Sequence, residues 1–370
     1  MMGLLNARWP QRIFQLPWRM IALICAIGGF GVVVLYSAAG GSMMPWALNH
    51  LVRFCLFLGM AILLSQVPLR LWLAAAYPVY AATLLAVIAV EILGAISGGA
   101  QRWLDLGFIR LQPSELMKIA IVLALARFYH FLPRGYASTL AGIWPPLLMI
   151  ALPVVFVLVQ PDLGTSLMIV AGGMTILFLG GLPLRWFIVP GAAGLASLPL
   201  VYTMLEDYQK RRVATFLDPA ADPLGAGYHI TQSKIAIGSG GVTGKGFLEG
   251  SQSHLQYLPE QQTDFVFATM AEEWGLMGGV SLLVAYGLFL NWGIRLSLKT
   301  QTVFGRLLAA GLSMTIFFYV LVNTMMVMGL APVVGIPFPL MSYGGSAMMT
   351  VMIAFGMLMA VHRQRDQRQL

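Results

Sequence analysis

Tyr257 to Phe265 reads YLPEQQTDF and closes the one long polar segment, residues 207–263, of an otherwise apolar sequence. The aspartate of this stretch, Asp264, stands directly before a long apolar run. We therefore expect its carboxylate to lie where water meets hydrocarbon, at the mouth of the space that the apolar segments enclose. An ionisable residue at such a boundary is a candidate functional residue by default.

The remainder of the chain has the composition of a membrane protein. Of 370 residues, 59% are hydrophobic and 10% are charged, and the mean hydropathy is +0.81, which no ordinary soluble domain approaches. Lys and Arg outnumber Asp and Glu by 22 to 14, but they lie in short runs between apolar segments, which argues against a nucleic-acid partner. Cys25 and Cys55 lie inside apolar runs, so neither a disulfide nor a metal site is expected there.

We predict an all-α polytopic membrane protein. A helix of about 20 apolar residues crosses a bilayer, and the sequence has about ten segments of this kind. They predict one membrane domain over residues 1–370, with a long extracytoplasmic loop at 207–263 between spans 7 and 8 and both termini on the cytoplasmic side. The predicted spans are 17–39, 46–66, 70–94, 113–131, 144–160, 163–181, 185–206, 264–293, 303–330 and 343–362.

The basic residues of the short loops predict the orientation. One side has only Arg102 and Arg110, whereas the other has 13 basic residues and is therefore predicted to be cytoplasmic. The segment 207–263 and Asp264 then face away from the cytoplasm. The 13 residues are Arg8, Arg12, Arg19, Arg70, Arg127, Arg134, Arg185, Arg295, Lys299, Arg306, Arg363, Arg365 and Arg368.

Charged residues inside or beside the spans are the candidates for chemistry. Glu115 and Lys118 are three residues apart in the fourth span and share a helix face. They form either an ion pair that lets a helix end tolerate two charges, or part of a polar cavity that also receives Asp264. Asp264 is either an N-cap of the eighth span or a general base partly removed from water. At most one of Glu272 and Glu273 can share its helix face.

Several polar residues could contact an anionic substrate. Arg102 and Arg110 lie in a predicted outer loop, where guanidinium groups match a diphosphate, unless Arg102 only pairs with Asp105. The motif QPDLGT at 160–165 is either a tight turn capped by Asp162 or a second polar wall of the cavity.

Two further stretches suggest binding sites less strongly. The run GSGGVTGKG at 238–246 resembles a P-loop but lacks its first glycine and its Mg²⁺-binding Ser or Thr. We interpret it as a flexible loop whose Lys245 could contact an anion. Lys210, followed by two arginines, most simply contacts lipid headgroups. His229 and His254 are isolated from other metal ligands, so no metal site is predicted.

Together these motifs resemble the SEDS (shape, elongation, division and sporulation) family along nearly the whole chain. The run at 232–238 and the short amino-terminal segment resemble its rod-shape branch more than its division branch. The motifs are GAQRWLDLG at 99–107, QPSE at 112–115, QPDLGT at 160–165, DPLGAGYH at 222–229, QSKIAIGSGG at 232–241, LPE at 258–260, TDF at 263–265, Asn323, Pro332, Gly335 and SYGGS at 342–346.

The resemblance implies a peptidoglycan glycosyltransferase in the bacterial cytoplasmic (inner) membrane. Such an enzyme polymerises lipid II into β-1,4-linked strands on the outer face during cell elongation and releases undecaprenyl diphosphate. The implied partners are a class B penicillin-binding protein, which is the transpeptidase, and other membrane proteins of the elongation complex. No cofactor is certain, although Mg²⁺ or Mn²⁺ could assist. A lipid II transporter and a non-catalytic scaffold are the alternatives, but the candidate charges gather toward the outer face, which favours the enzyme.

By similarity, Asp264 matches the essential aspartate of the family, and Glu115 and Lys118 match charged cavity residues beside it. Lys118 is also among the cations that could stabilise the leaving diphosphate. The other candidates for contact with the substrate or its diphosphate are Arg102, Arg110, Lys210, Lys245, Asp162 and Ser342.

Overall fold

The structure is a computed structural model that describes residues 14–97, 100–105, 110–133, 135–204, 207–219, 222, 225–255, 257–258 and 260–366. Some residues used for the predictions lie outside these ranges: Arg8, Arg12, Arg134 and Arg368 of the predicted cytoplasmic side, positions 98–99, 106–107, 223–224 and 259 of the motifs, and the last two residues of the predicted seventh span.

The described residues form 14 α-helices and one small sheet. In chain order the helices are α1 (Trp18–Ala38), α2 (Ala47–Leu64), α3 (Leu69–Leu93), α4 (Pro113–Phe131), α5 (Leu140–Val159), α6 (Leu163–Leu179), α7 (Arg185–Ala196), α8 (Leu198–Met204), α9 (Asp207–Leu217), α10 (Ala226–Gly240), α11 (Ser251–His254), α12 (Val266–Lys299), α13 (Val303–Val327) and α14 (Gly345–Gln364). A single 3₁₀ turn, Tyr136–Ser138, precedes α5.

Helices lie at all ten predicted spans, although the seventh span is divided into α7 and α8. Among the described residues, seven helices are long and apolar enough to cross a membrane. The fourth span, α4, falls outside that set because it carries three charged residues, and α6 does so because it has 17 residues. The chain is therefore a multi-pass, mostly helical membrane protein, as predicted. Its ten crossings and its single membrane domain stay predictions.

In the predicted outer loop 95–112, the described residues form a sheet that was not predicted from the sequence. Strands β1 (Ala95–Ser97), β2 (Ala100–Asp105) and β3 (Arg110–Leu111) pair antiparallel in that order. Because β3 leads directly into α4, the sheet holds Arg102 and Arg110 near the first turn of that helix. The described part of the long polar segment 207–263 likewise forms three helices, of which α10 packs against α12.

Helix α4 runs through the middle of the bundle and contacts α3, α6 and α13. Each residue from 119 to 126 is at most 3% exposed. By contrast, side chains such as Leu85, Ile92 and Leu195 on α3 and α7 are largely exposed, as expected for helix faces that meet lipid rather than water. Charged residues near the start of α4 are therefore enclosed by protein.

Helix α12 is broken at Gly275, which has φ 63° and ψ −161°. A break inside a span frees backbone groups that lipid cannot satisfy. The glycine-rich loop satisfies them, since the Lys245 amide donates to the Glu272 carbonyl at 3.0 Å and the Leu276 amide donates to the Gly241 carbonyl at 2.9 Å. The sequence that resembles a P-loop is thus the structural partner of a broken helix.

Candidate active site

A cavity of about 1020 Å³ lies where α2, the small sheet and the starts of α4, α6, α12 and α14 meet. It brings together residues that are far apart in the sequence. Five of the predicted site residues line it, namely Asp264, Glu115, Asp162, Arg102 and Arg110. Lys118 lies directly behind Glu115, while Lys210, Lys245 and Ser342 are not among the lining residues.

Asp264 lies in the turn that precedes α12, and residues from the carboxy-terminal third of the chain hold this turn. Asn323 of α13 donates its side-chain amide to the Asp264 carbonyl at 2.8 Å and to the Ile336 carbonyl at 2.6 Å. Ser342 donates its hydroxyl to the Thr263 carbonyl at 2.6 Å. The Ser342 hydroxyl, a predicted substrate contact, is therefore engaged in positioning the turn.

The possibility that Asp264 caps α12 is wrong. Phe265 occupies the N-cap position, without a side-chain hydrogen bond, and the Asp264 carboxylate accepts no hydrogen bond within the described part of the chain. Burial raises the pKa of the Asp264 carboxyl to about 7, and the negative charges of Glu260 and Asp162 contribute in the same direction. A carboxyl group with its pKa near the operating pH suits a general base.

Gly335 packs directly against the Asp264 carboxylate. A Cβ atom added to Gly335 would lie 3.3 Å from Asp264 Oδ2, and the residue has φ 68°. This left-handed conformation disfavours residues other than glycine. The backbone of the segment after α13 thus forms the floor beneath the carboxylate.

Glu115 and Lys118 form a buried ion pair that Tyr319 of α13 completes. The Lys118 ammonium lies 2.6 Å from Glu115 Oε1 and 2.9 Å from the Tyr319 hydroxyl, and that hydroxyl donates to Glu115 Oε2. The three residues are at most 4% exposed. The pair was predicted, but Tyr319 was not, because a tyrosine inside an apolar span carries no distinctive sequence signal.

Asp162 fills both roles that the sequence left open. Its Oδ1 atom accepts from the Thr165 amide at 3.1 Å and caps α6, while Oδ2 accepts from the Gln112 side chain at 2.9 Å and the residue lines the cavity. The loop that carries it is held from the other side, since Arg102 donates Nε to the Gln160 carbonyl at 3.0 Å.

The guanidinium groups of the small sheet are both engaged. Arg102 also donates to the Pro161 carbonyl. The suggested pair of Arg102 with Asp105 does not form, because Asp105 pairs with Arg110 at 3.4 Å. That pair is well exposed, with side-chain exposures of 46% and 70%.

Lys245 belongs to a different cluster, away from the cavity. Its ammonium lies 2.6 Å from Glu272 Oε1, and the Gln252 amide donates to the same oxygen at 3.0 Å. Glu273 accepts a hydrogen bond from Ser37. Neither glutamate lines the cavity. Their contacts with Lys245, Gln252 and Ser37 hold the broken part of α12 in place. Lys210 lies on α9 and also stays outside the cavity.

Arg53 of α2 is a cavity residue that was not predicted. Its guanidinium lies 4.7 Å from the ring centroid of Tyr343, which also lines the cavity. The signal was present in the sequence, because an arginine inside the apolar run 46–66 is costly in lipid unless it faces water or a partner.

No group of three His, Cys, Asp or Glu side chains in the described ranges is arranged to hold a metal ion. A divalent ion in the cavity would therefore be held by fewer than three such side chains, with water or substrate oxygens as its further ligands, as is common for Mg²⁺.

Comparison with known proteins gives consistent matches. The family model of the FtsW, RodA and SpoVE cell cycle proteins matches residues 15–367. The peptidoglycan glycosyltransferase MrdB of Escherichia coli K12 is 44% identical over 349 residues, which cover 94% of this chain and 93% of MrdB. A chain of a peptidoglycan synthase complex, in which polymerization and crosslinking are coordinated, superposes with a TM-score of 0.84 at 34% identity over 95% of this chain and 99% of that one. The rod shape determining protein RodA of Thermus thermophilus gives a TM-score of 0.72 at 32% identity, over 95% and 98% of the two chains.

Proposed function

The chain belongs to the FtsW, RodA and SpoVE family of cell cycle proteins and is a peptidoglycan glycosyltransferase, and we propose that Asp264 is the general base of its reaction. Three properties of the Asp264 carboxylate support the assignment. The carboxylate faces a cavity of about 1020 Å³. It accepts no hydrogen bond from the residues that the structure describes, and burial raises its pKa to about 7. Pockets of roughly 300–1,000 Å³ enclose most of the surface of a drug-sized ligand.

The proposed substrate is lipid II. Asp264 takes the proton from the 4-hydroxyl of the acceptor GlcNAc, and the oxygen attacks the anomeric carbon of the lipid-linked MurNAc at the end of the growing strand. The bond from that carbon to the diphosphate oxygen breaks, and undecaprenyl diphosphate leaves with the electron pair. An α-linked substrate and a β-1,4-linked product require one inversion, so a single base suffices and no covalent intermediate is needed.

We place the site on the extracytoplasmic side of the bacterial cytoplasmic membrane. Support comes from the helix starts at the cavity, since α4, α6, α12 and α14 correspond to predicted spans 4, 6, 8 and 10, which all begin on that side. We also propose a class B penicillin-binding protein as the transpeptidase partner, alongside other membrane proteins of the elongation complex. The match to a synthase complex supports this partner.

Purified lipid II tests the reaction directly. The protein, with its penicillin-binding partner blocked by penicillin, is expected to produce uncrosslinked glycan strands in detergent. Parallel samples with EDTA test whether Mg²⁺ or Mn²⁺ is needed. If no strands form while lipid II moves across vesicle membranes, the protein is a transporter instead. The charged residues that line the cavity lie at one end of the bundle. This position argues against a transporter, because alternating access requires a site that is reached from both sides.

The pH dependence should report the titration of Asp264. The ratio kcat/KM for lipid II is expected to rise through about pH 7 and then level off, because the base must be ionised and burial raises its pKa to about 7. Glu260→Gln removes a neighbouring negative charge that raises this pKa, so its profile should shift to lower pH. A flat profile between about pH 5 and about pH 8 would contradict the assignment.

Gly335→Ala should lower polymerisation about tenfold, since misplacing a catalytic group by about 1 Å can cost about 10²-fold and the new methyl group presses on Asp264. The matched control is Gly329→Ala, which has a similar φ of 73° but whose new methyl group would meet Lys234 Cδ at 3.2 Å and Ile230 Cγ2 at 3.3 Å instead of a carboxylate. Both variants carry the same backbone strain, so equal losses of polymerisation would show that the effect is not specific to Asp264.

A further inference from the structure

The leaving diphosphate gains negative charge as its bond to the sugar breaks, and a cation in the cavity would stabilise it. Four of the five cations expected from the sequence are already engaged, and the fifth, Lys210, does not line the cavity. Arg102 donates to two backbone carbonyls, Arg110 pairs with Asp105, and Lys118 pairs with Glu115. Lys245 pairs with Glu272 outside the cavity. A diphosphate would have to displace these partners to use any of the four.

Arg53 differs from the other cavity cations. Within the described ranges its guanidinium has no carboxylate partner and no hydrogen bond, and it lies 4.7 Å from the centroid of the Tyr343 ring. Contact with an aromatic face orients a guanidinium while leaving its N–H groups available to an anion. Five N–H donors in a planar fork match two phosphate oxygens at once.

Arg53 is also tied structurally to the catalytic turn. The Tyr343 amide donates to the Gln262 carbonyl at 2.7 Å, two residues before Asp264. The ring that orients Arg53 therefore belongs to the same hydrogen-bonded unit as the base. Both charged groups line one cavity, as required when one group activates the attacking oxygen and another receives the leaving group.

The start of α14 adds positive potential at the same wall. Gly345, Ser346 and Ala347 line the cavity, and their backbone N–H groups find no acceptor among the described residues. The first turn of a helix leaves such groups unpaired. The Gly345 backbone also lies next to the Arg53 guanidinium, since a Cβ on Gly345 would be 3.6 Å from Arg53 Nη1.

We infer that Arg53 binds the diphosphate of the lipid-linked donor and holds it as the sugar is transferred. The inference rests on the proposed function, because it names the leaving-group contact of the same site. It assigns to one arginine, inside a predicted span, a role that the sequence had offered only to loop cations and to Lys118.

Binding of undecaprenyl diphosphate to the purified complex tests the inference, with undecaprenyl monophosphate as a second probe. Arg53→Gln is expected to weaken diphosphate binding about 10-fold to 100-fold, as for loss of a charge-assisted hydrogen bond, and monophosphate binding less. Arg53→Lys should recover part of the affinity, since it keeps the charge but not the planar fork. Arg295→Gln removes an exposed positive charge at the other end of α12 and should bind as the wild type does.

The outcomes separate this inference from the proposed function. If Arg53→Gln binds undecaprenyl diphosphate like the wild type, with an unchanged unfolding temperature, Arg53 is not the diphosphate ligand even if strands form normally. If Arg53→Gln lowers affinity but the wild type makes no strands, the anion site stands and the glycosyltransferase assignment to this cavity fails. An equal loss of affinity for both probes would show that Arg53 only attracts anions through its charge. That result would overturn its role as a ligand of the diphosphate.

Discussion

Asp264→Asn is expected to lower strand polymerisation from lipid II by about 10² to 10⁴-fold, the usual contribution of a general base. Asparagine has nearly the same shape as aspartate but cannot accept the proton. The fold should persist, because none of the described residues donates a hydrogen bond to the Asp264 carboxylate. The measurement is strand formation by the purified complex, together with binding of undecaprenyl diphosphate, which should be retained.

The same substitution should leave stability unchanged or raise it slightly at alkaline pH. The pKa of Asp264 rises from 3.8 to about 7 in the folded protein, so between these values the folded chain keeps a proton that the unfolded chain releases. Folded stability therefore falls as pH rises through this window, and Asn removes that dependence. Glu260→Gln is the matched control in the same turn and should polymerise normally at a pH on the plateau of its own profile. Strand formation by Asp264→Asn within about threefold of the wild type would exclude a base role.

The central charges of the site could be predicted because a membrane makes them conspicuous. Glu115, Lys118 and Asp264 lie in or beside apolar runs, where a charge is costly unless protein or water surrounds it. The structure brings Glu115 and Asp264 to one cavity and buries Lys118 behind them. Motif order along the chain predicted the family, and hydropathy predicted where helices lie. Several bounds nevertheless differ, since the seventh predicted span is divided into α7 and α8 and α12 continues to Lys299.

The supporting residues could not be predicted, because their roles depend on contacts between distant segments. Tyr319 meets Glu115 across 204 residues, and Asn323 meets the Asp264 carbonyl across 59 residues. Neither residue is charged, so the cost of a charge in lipid did not single it out, and Asn323 was noted only as part of a family motif, without a structural role. The small sheet was missed because its strands are short, and short strands resemble loop sequence.

Lys245 shows how a local motif can mislead. Its glycine-rich surroundings suggested a flexible anion-binding loop, whereas the loop closes the gap in α12 and Lys245 neutralises the buried Glu272. Two adjacent glutamates in an apolar run, 27 residues away, were the sign that a cation was needed. The same reasoning, applied to the run 46–66, would have singled out Arg53 as a residue that must face a cavity.

Lys118→Met is expected to be the most destabilising of these variants, by about 3–5 kcal/mol, the usual cost of removing one partner from a buried ion pair. The Glu115 carboxylate would keep only the Tyr319 hydroxyl as a described partner. The measurement is the thermal unfolding midpoint in detergent, alongside strand formation from lipid II. Arg127→Met in the same helix removes a cation that binds backbone carbonyls and has no acid partner among the described residues, and it should cost less.

The double variant Glu115→Gln, Lys118→Met tests whether this ion pair only lets the helix end tolerate two charges or is also part of the catalytic cavity. Removing both charges leaves no uncompensated ion, so most of the lost stability should return. If the pair also belongs to the catalytic cavity, polymerisation should nevertheless stay low, because Glu115 lines the same cavity as Asp264 and the variant removes its charge. If the double variant regains both stability and polymerisation, the pair serves folding alone. The chemistry of the cavity then depends on Asp264 and Arg53.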